Sequence, residues 1–560
     1  MGRAMSAIGV SRSVLADVPL LAGADEVSLA ALAAEAEPLR VLAGDWALRE
    51  GDEARELYVV LRGRLRVVAA DGRTLRVLGP GAAIGELALL TGAPRSASVQ
   101  AIRDSTLLRL PRERFDELIE RDAHFAATVA RELASLLQAS GGLSAPPTRP
   151  SLFALRGLGR DVPVQGVARS LAQALERYGT VEILGAEAAG TGAVERAEDE
   201  ATHVLLVDEA GTGAWSDLCA RQADRLLLVA TADSPLPGAP SPAADLVVLG
   251  PAEGGIVTGL VDAVAPRALH RLASTEPSDP GAARLARRLV GRSLGIVFSG
   301  GGARGFAHIG ALQELAEDGI EIDRYGGCSM GSFIAAMAAA GWKPQEIRDR
   351  CHDELVRRSP FNDYTLPRVA LIRSRKAGRM LERLFGELAI EELAKPLFTV
   401  SADLLSSRLV VHRRGSVVEA VGASMSIPGL VPPLPRGGRL LVDGGVLNNL
   451  PVDAMAETDE GPIVAVDVVR RLEPVDVDGE QPLPSIMETL SRATVLGSVE
   501  RAEANRELAL VVLAPSVQDV PLRDFRALDR AIEAGRVATR AALDGGARDV
   551  ILDALAAPLA

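Results

Sequence analysis

The sequence predicts a multidomain protein in which a small β-rich module with flanking helices is followed by two α/β segments. Short strand-like runs interrupted by glycines fill the first part of the chain, and apolar strands alternate with helical patterns in the remainder. Two stretches rich in Pro, Gly and Ser, Gly141 to Pro150 and Thr275 to Gly281, separate these parts as linkers do. We therefore expect domains over residues 1–140, 151–274 and 283–560, with linkers over 141–150 and 275–282.

The composition argues against several classes of protein. The chain carries 74 acidic and 61 basic residues in 560, a net charge of -13, so a nucleic-acid partner is not expected. The three cysteines, Cys219, Cys328 and Cys351, lack C-x-x-C spacing, which argues against a disulfide framework and against a metal site. The first 25 residues show no secretory signal, and we expect a cytoplasmic protein. Nothing in the sequence predicts its oligomeric state.

The first segment contains two strand-like stretches and one long helical pattern. Glu56 to Val68 is broken by Gly63, and Thr74 to Leu78 follows Asp71-Gly72. A helical pattern from Arg112 to Leu137 closes the segment. These features predict a β-rich module with helical flanks.

The middle segment alternates between strands and helices. His203 to Val207 and Arg225 to Ala230 are apolar strand-like runs, and Val167 to Tyr178 has helical periodicity. Such alternation is typical of parallel βαβ units.

The C-terminal segment begins with a strand, a glycine-rich loop and a helix. Leu294 to Ser299 is strand-like, the loop GGGARG follows, and a helix is predicted over Ala307 to Glu317. Backbone N–H groups at such a turn form a site for negative charge. The glycines also fit G-x-G-x-x-G, with Glu321 or Asp323 at the distance that a dinucleotide site requires. The alternative is an oxyanion hole for acyl transfer.

The next motif favours acyl transfer. A strand-like stretch ends in Gly327-Cys-Ser-Met-Gly331, and an Ala-rich helix follows, which is the context of a nucleophile elbow centred on Ser329. Ser293 also lies in a G-x-S-x-G match, but there a helix precedes a strand, the reverse order. We therefore predict Ser329 as the nucleophile.

Asp443 is the candidate base. It ends an apolar strand and is followed by two glycines that allow a sharp turn, whereas the similar Asp544-Gly-Gly follows a helix, where a glycine cap is the simpler interpretation. Among the six histidines, His412 lies within a strand and His308 in the helix after the glycine loop. A carboxylate in a partly desolvated site can accept the proton instead.

Four motifs follow one another in this segment: Ser299 to Gly305 (SGGGARG), Gly327 to Gly331, Ala423 to Pro433 (ASMSIPGLVPP) and Asp443 to Gly445 (DGG). In this order they resemble patatin-like phospholipases, from near Leu294 to the C-terminus. The resemblance implies a Ser/Asp dyad of Ser329 and Asp443, with amides near Gly301, Gly302 and Ala303 holding the oxyanion. The loop expected to form the oxyanion hole comprises Gly300, Gly301, Gly302, Ala303, Arg304 and Gly305.

The run from Gly85 to Ala97 (GELALLTGAPRSA) resembles the phosphate-binding cassette of cyclic-nucleotide-binding domains, which implies a β-roll. Glu86 offers a carboxylate to a ribose hydroxyl and Arg95 a guanidinium to the cyclic phosphate. The expected binding residues are Gly85, Glu86, Leu87, Ala88, Arg95 and Ser96. Cyclic AMP or cyclic GMP is the expected regulator, with the choice of base open. The alternative is a module that keeps the fold and only docks on the hydrolase.

The combination resembles bacterial relatives of neuropathy target esterase, a lysophospholipase family. It implies a serine esterase acting on phospholipids or lysophospholipids without a metal or other cofactor, with peripheral membrane contact. The middle segment resembles ParA/MinD-type ATPases but lacks G-K-[ST] in Ala154 to Asp161, so we expect a scaffold without nucleotide hydrolysis. The rivals are a catalytically silent cyclic-nucleotide sensor and a dinucleotide oxidoreductase; the latter leaves Ser329 and Asp443 unexplained.

Overall fold

The structure is a computed structural model that divides into two compact units. It describes residues 24–70, 74–85, 92–122, 124–131, 151–190, 192–251, 255–366, 368–469 and 496–556, together with residues 15, 18, 21, 72, 489 and 493. The first unit comprises residues 1–156 and 181–227, and the second residues 157–180 and 228–560. The elements of the predicted middle domain are therefore divided between both units.

The N-terminal module is built from two antiparallel sheets. Its strands are β1 (Glu37–Val41), β2 (Trp46–Leu48), β3 (Glu56–Arg62), β4 (Leu65–Val68), β5 (Thr74–Leu78), β6 (Ala83–Ile84), β7 (Ser98–Ala101) and β8 (Ser105–Pro111). One sheet has the order β1-β8-β3-β6 and the other β2-β7-β4-β5. Buried apolar residues such as Val60, Leu65 and Leu107 form one of the two cores. The predicted β-rich module is confirmed as a β-roll.

The helical flanks are α1 (Glu26–Glu35) and α2 (Arg112–Arg121), and residues 124–131 are also helical. The single helix predicted from Arg112 onward is wrong at Asp122, where the backbone is extended (φ -123°, ψ 98°). The Asp122 carboxylate accepts hydrogen bonds from the amides of His124 (2.9 Å) and Phe125 (3.1 Å). Asp122 therefore caps the start of a second helix, a competing local interaction that helical periodicity does not register.

The first unit also contains a parallel sheet segment. β10 (Val181–Leu184), β11 (His203–Asp208) and β9 (Leu152–Gly157) pair in parallel in that order. The helices α4 (Ala193–Glu200) and α5 (Ala214–Gln222) alternate with these strands. Buried ion pairs connect this segment to the β-roll, because Asp224 lies 3.0 Å from both Arg64 and Arg103. All three side chains are buried, so the β-roll and the parallel segment share a desolvated polar contact.

Further α/β elements lie in the second unit. They are α3 (Val164–Leu175), β13 (Asp245–Leu249), α6 (Ile256–Val264), β14 (Ala268–Leu272) and α7 (Pro280–Leu289), while β12 (Arg225–Ala230) spans the boundary at Leu227. β13 and β14 are parallel. The α/β class predicted for the middle segment is thus observed.

The C-terminal segment forms an α/β layer around an eight-stranded sheet. Its strands are β15 (Gly295–Phe298), β16 (Arg324–Cys328), β17 (Leu397–Asp403), β18 (Arg408–His412), β19 (Leu434–Arg436), β20 (Arg439–Asp443), β21 (Ile463–Val466) and β22 (Val511–Leu513). The order is β19-β20-β17-β16-β15-β21-β22, with β18 also paired to β17. β17, β16, β15, β21 and β22 are parallel, so the segments after β15 and β16 emerge at one edge.

Helices cover this sheet. They are α8 (Ala307–Glu317), α9 (Met330–Ala339), α10 (Pro344–Cys351), α11 (Arg375–Phe385), α12 (Val417–Ser424), α13 (Val452–Ala456), α14 (Val499–Glu507), α15 (Leu528–Ala542) and α16 (Arg548–Ala556). Every residue of α9 is buried, so this uncharged helix belongs to the core of the C-terminal segment. Within the described ranges, no helix combines the length and apolar character needed to cross a bilayer.

Candidate active site

Ser329 lies in a sharp turn between β16 and α9. Its backbone is in the left-handed region (φ 52°, ψ -123°), a conformation that costs energy for a residue with a side chain. The turn depends on its glycines. A Cβ on Gly327 would lie 2.6 Å from the backbone of Gly331, and a Cβ on Gly331 would lie 2.4 Å from the Phe298 carbonyl. The G-x-S-x-G spacing therefore reflects two close backbone approaches that only glycine permits.

The glycine-rich loop after β15 passes directly over this turn. A Cβ on Gly300 would lie 3.1 Å from the Ser329 Cβ and 2.5 Å from Asn449 Oδ1. The Gly300 amide donates to the Asn449 carbonyl (3.1 Å), and Asn449 Nδ2 donates back to the Gly300 carbonyl (3.3 Å). Asn449 thus fixes the loop against the serine.

Several amides of the predicted oxyanion loop already have acceptors. Besides Gly300, the Ala303 amide donates to the Leu522 carbonyl (2.8 Å) and the Arg304 amide to the Gly301 carbonyl (3.2 Å). Among the described residues, no hydrogen bond uses the N–H groups of Gly301 or Gly302. Gly302 has a positive φ of 54°, and a Cβ there would clash with the Leu522 carbonyl.

Asp443 reaches the same turn from β20. The register pairs Cys328 with Val400 and Ser401 with Asp443. A single strand, β17, therefore lies between the strand that carries Asp443 and the strand that leads into the Ser329 turn. Asp443 accepts a hydrogen bond from the Gly445 amide (2.8 Å), and the Ser329 side chain lies close enough to the carboxylate to lower its pKa. The structure thus brings together the two residues that the sequence pointed to.

The environment of Asp443 raises the pKa of its carboxyl. Burial is the largest effect and raises the pKa of Asp443 to about 6, while the donors around the carboxylate pull in the opposite direction. A base is most effective when its pKa lies near the working pH.

Two further side chains complete the environment. The Cys328 thiol lies 3.5 Å from Asp443 Oδ1 and donates to it, and burial raises the pKa of that thiol well above its ordinary value. The Ser424 hydroxyl accepts from the Ser329 amide (2.9 Å). Reasoning from sequence assigned Cys328 no role, because the contact arises from strand register and leaves no local signal. Ser424 lies inside the Ala423–Pro433 motif, which could have drawn attention to it.

The alternative residues lie elsewhere. His308 Nε2 bonds the Ser299 carbonyl (2.9 Å) and His412 Nε2 bonds Ser401 Oγ (2.7 Å), and burial lowers the pKa of both imidazoles to about 4. Ser293 is fully buried ahead of β15. Asp544 follows α15 in a kinked turn. None of these four contacts the Ser329 and Asp443 side chains in a described hydrogen bond.

The predicted cyclic-nucleotide site is described only in part, since Glu86, Leu87 and Ala88 lie outside the described residues. Arg95 is buried, and its guanidinium donates to the carbonyls of Gly85 (2.8 Å) and Glu56 (2.5 Å). A Cβ on Gly85 would overlap this guanidinium, and Ser96 is exposed beside it. The arginine thus lies next to the start of the cassette, in contact with backbone acceptors.

Comparison with known proteins assigns both regions. Residues 296–456 match the family of patatin-like phospholipases, and residues 38–122 match the cyclic nucleotide-binding domain. An uncharacterized NTE family protein of Mycobacterium tuberculosis is 35% identical over 573 residues, covering 95% of this chain and 96% of that protein. The patatin-like phospholipase domain-containing protein 6 of Mus musculus is 29% identical, covering 92% of this chain and 45% of that protein. The lysophospholipase NTE1 of Cryptococcus neoformans is 31% identical, covering 76% of this chain and 32% of that protein.

Proposed function

This chain belongs to the NTE family, and we propose that it is a serine esterase that hydrolyses acyl ester bonds of lysophospholipids or phospholipids through a dyad of Ser329 and Asp443. The observation that carries the proposal is that Ser329, held on a strained turn, converges with the buried Asp443 carboxylate, whose pKa burial raises to about 6. A nucleophilic hydroxyl beside a base of that strength is what acyl transfer needs. The name of the fungal relative supports lysophospholipids as the substrate class.

The reaction then proceeds in two acyl transfers. Ser329 Oγ attacks the ester carbonyl carbon while its proton passes to Asp443, and the tetrahedral intermediate collapses to an acyl-enzyme. The departing alcohol, a glycerophosphodiester for a lysophospholipid, takes the proton from Asp443. Asp443 next accepts a proton from water, whose oxygen attacks the acyl carbon, and the free fatty acid leaves as Ser329 is reprotonated.

Gly301 and Gly302 are the donors that we assign to the oxyanion. Their N–H groups lie in the loop above Ser329, whereas the amides of Gly300, Ala303 and Arg304 donate to protein carbonyls. Preorganised N–H donors lower the barrier only when they are available to the developing charge. Of the predicted loop, these two residues are therefore the proposed oxyanion hole, and the others shape it.

Peripheral contact with a lipid surface would bring the substrate to the site. Leu366 and Val369 are 81% and 72% exposed, and Tyr364 is 60% exposed in the same loop. This loop is anchored near the glycine loop, because Arg523 donates to the Tyr364 hydroxyl (3.0 Å) and the neighbouring Leu522 carbonyl binds Ala303. Adjacent exposed apolar side chains mark membrane or protein contacts.

A cyclic nucleotide is the proposed regulator of this esterase. Arg95 would exchange its backbone acceptors for the cyclic phosphate, with Glu86 on the ribose. Loss of such a charge-assisted pair costs about one to two decades in affinity. Regulation requires that the ligand bind one of two states of the protein more tightly, because equal affinity leaves the equilibrium between the two states unchanged.

Turnover of lysophosphatidylcholine, measured as released fatty acid with and without cyclic AMP and cyclic GMP, tests both parts. Ser329→Ala and Asp443→Asn should lose turnover, the latter by roughly 10² to 10⁴, while Asp544→Asn should match the wild type. Calorimetry should show nucleotide binding that weakens in Arg95→Ala. An active enzyme that binds neither nucleotide at millimolar concentration would retain the esterase and reduce the β-roll to a docking module.

A further inference from the structure

A cavity lies within the second unit, away from Ser329. Its volume is about 210 Å³, and its walls include β14, α7 and the first residues of β16 and β17, Arg324 and Leu397. Ser329 follows the last residue of β16. Five residues at ~3.3 Å each place the cavity about 16 Å from the nucleophile, at the opposite edge of the sheet. The cavity is therefore separate from the catalytic site.

The lining is strongly cationic. Eight lining side chains are cationic: Arg267, Arg271, Arg284 and Arg288 from the segment before β15, and Arg324, Lys395, Arg413 and Arg414 from the segment after it. Only three are carboxylates: Asp323, Glu391 and Glu460. Eight cations less three carboxylates leave an excess of five positive charges, in a chain whose net charge is -13. A partly enclosed cavity lined by charges of one sign concentrates ions of the opposite charge.

The carboxylates do not neutralise this excess. Glu460 forms two hydrogen bonds with Arg288 (3.0 and 2.8 Å), and the same carboxylate lies 3.8 Å from both Arg267 and Arg324. Asp323 is occupied by Arg287, which lies outside the lining.

Carboxylates just outside the lining do not make the net charge around the cavity negative. Asp245 pairs with Arg267, and Glu321 and Glu457 lie 3.7 and 3.8 Å from Lys395 and Arg413. Cations still outnumber carboxylates when these three are included.

Two arginines retain unused donors. Arg324 is only 4% exposed, yet its Nε has no hydrogen-bond acceptor among the described residues. Burial lowers the pKa of Arg324 to about 10. Arg284, half-buried in α7, makes no hydrogen bond or ion pair with any residue that the structure describes. The Nη2 group of Arg324 already donates to the carbonyls of Ser293 (2.7 Å) and Gly461 (3.2 Å), so Nε is the donor that a ligand would use. A buried N–H group without an acceptor is costly.

We infer that this cavity binds a small phosphate ligand through the guanidinium groups around Arg324 and Arg284. Guanidinium groups match the geometry of phosphate oxygens and bind them with charge-assisted hydrogen bonds. The volume far exceeds the ~15 Å³ that one water needs, so a phosphate ester fits as well as an ion. The ligand touches neither Ser329 nor Asp443, and its binding is independent of the proposed esterase activity.

Isothermal titration of the full chain with inorganic pyrophosphate tests this inference. The wild type and Arg379→Gln, a change at an exposed arginine of α11 that does not line the cavity, should bind equally. Arg284→Gln should bind about tenfold more weakly or worse, and added salt should weaken binding in all three proteins. Because Arg284 is half-buried and unpaired, its substitution should leave the melting temperature unchanged.

A second ligand distinguishes a free phosphate compound from a lipid headgroup. This ligand is glycerophosphoglycerol, a lipid headgroup freed of its acyl chains. Tighter binding of pyrophosphate identifies a free phosphate compound, and tighter binding of glycerophosphoglycerol identifies a headgroup. Absence of heat with both ligands at millimolar concentration overturns the inference, as does equal affinity of Arg284→Gln and the wild type. Binding is read without turnover, so the outcome holds whether or not the protein is an esterase.

Discussion

The pH dependence of ester hydrolysis follows from the burial of Asp443. The carboxyl must be ionised to accept the Ser329 proton, and its pKa is raised from 3.8 to about 6 because it is desolvated. With a pKa near 6, about one tenth of the protein has an ionised Asp443 at pH 5, whereas about nine tenths would with an ordinary carboxyl. We therefore expect kcat/KM to fall about tenfold between pH 7 and pH 5.

The same shift affects stability with a defined sign. Raising the pKa of a carboxyl in the folded state favours its neutral form, so the contribution to stability is full below pH 3.8 and is lost as the pH rises through about 6. The difference corresponds to an upper bound of ~3 kcal/mol at neutral pH. Asp443→Asn should therefore be inactive yet unfold at a higher denaturant concentration than the wild type at pH 7.5.

The assay is the initial rate of hydrolysis of a water-soluble p-nitrophenyl ester at subsaturating concentration, from pH 4.5 to 8, with the melting temperature recorded at each pH. Asp544→Asn is the matched control and should follow the wild-type profile. An acid limb centred near pH 4, in a protein that remains folded, would refute the role of burial. A limb near pH 6 that persists in Asp443→Asn would refute the assignment of the base.

Three further predictions concern Cys328 and Gly300 in the candidate active site and Asp224 beside the β-roll. Cys328→Ala removes a donor that lowers the pKa of Asp443, so the acid limb of the pH–rate profile should move to higher pH. Cys328→Ser should keep the limb near its wild-type position. An unmoved limb in Cys328→Ala would show that the thiol contact has no electrostatic effect. Gly300→Ala places a methyl group 2.5 Å from Asn449 Oδ1 and should lower kcat by at least tenfold in a folded protein, whereas Gly545→Ala, at a glycine with open space around it, should not. Asp224→Ala removes the buried carboxylate that Arg64 and Arg103 share, while Arg103 keeps Glu198 (2.6 Å), and should lower the free energy of unfolding by ~3 kcal/mol or more in urea titrations. A loss below ~1 kcal/mol would mean that the cluster is solvated.

The sequence predicted the turn at Ser329 because its signals are local. Gly327 and Gly331 are required by backbone contacts within a few residues or in the adjoining strand, and the alternation of strand, turn and helix distinguished Ser329 from Ser293. The order of the motifs also pointed to Asp443, which ends a strand and precedes a tight turn in the structure. Features that depend on nearby residues in this way can be recognised from the amino-acid sequence alone.

Other features depend on contacts between distant segments. The thiol of Cys328 meets Asp443 through the register of three strands, and Asn449 holds Gly300 across 149 residues of chain. The cationic cavity combines segments that begin near Arg267 and end near Glu460, and single arginines in a sequence give no sign of such convergence. The break at Asp122 was missed because side-chain capping competes with helical periodicity.

Covalent labelling by a fluorophosphonate probe tests the central claim most directly. The probe reacts with an activated serine hydroxyl, and mass spectrometry of the peptides identifies the modified residue. We predict a single adduct on Ser329, absent in Ser329→Ala, greatly slowed in Asp443→Asn and unchanged in Ser293→Ala. An adduct on Ser293, or labelling at the wild-type rate in Asp443→Asn, would contradict the dyad.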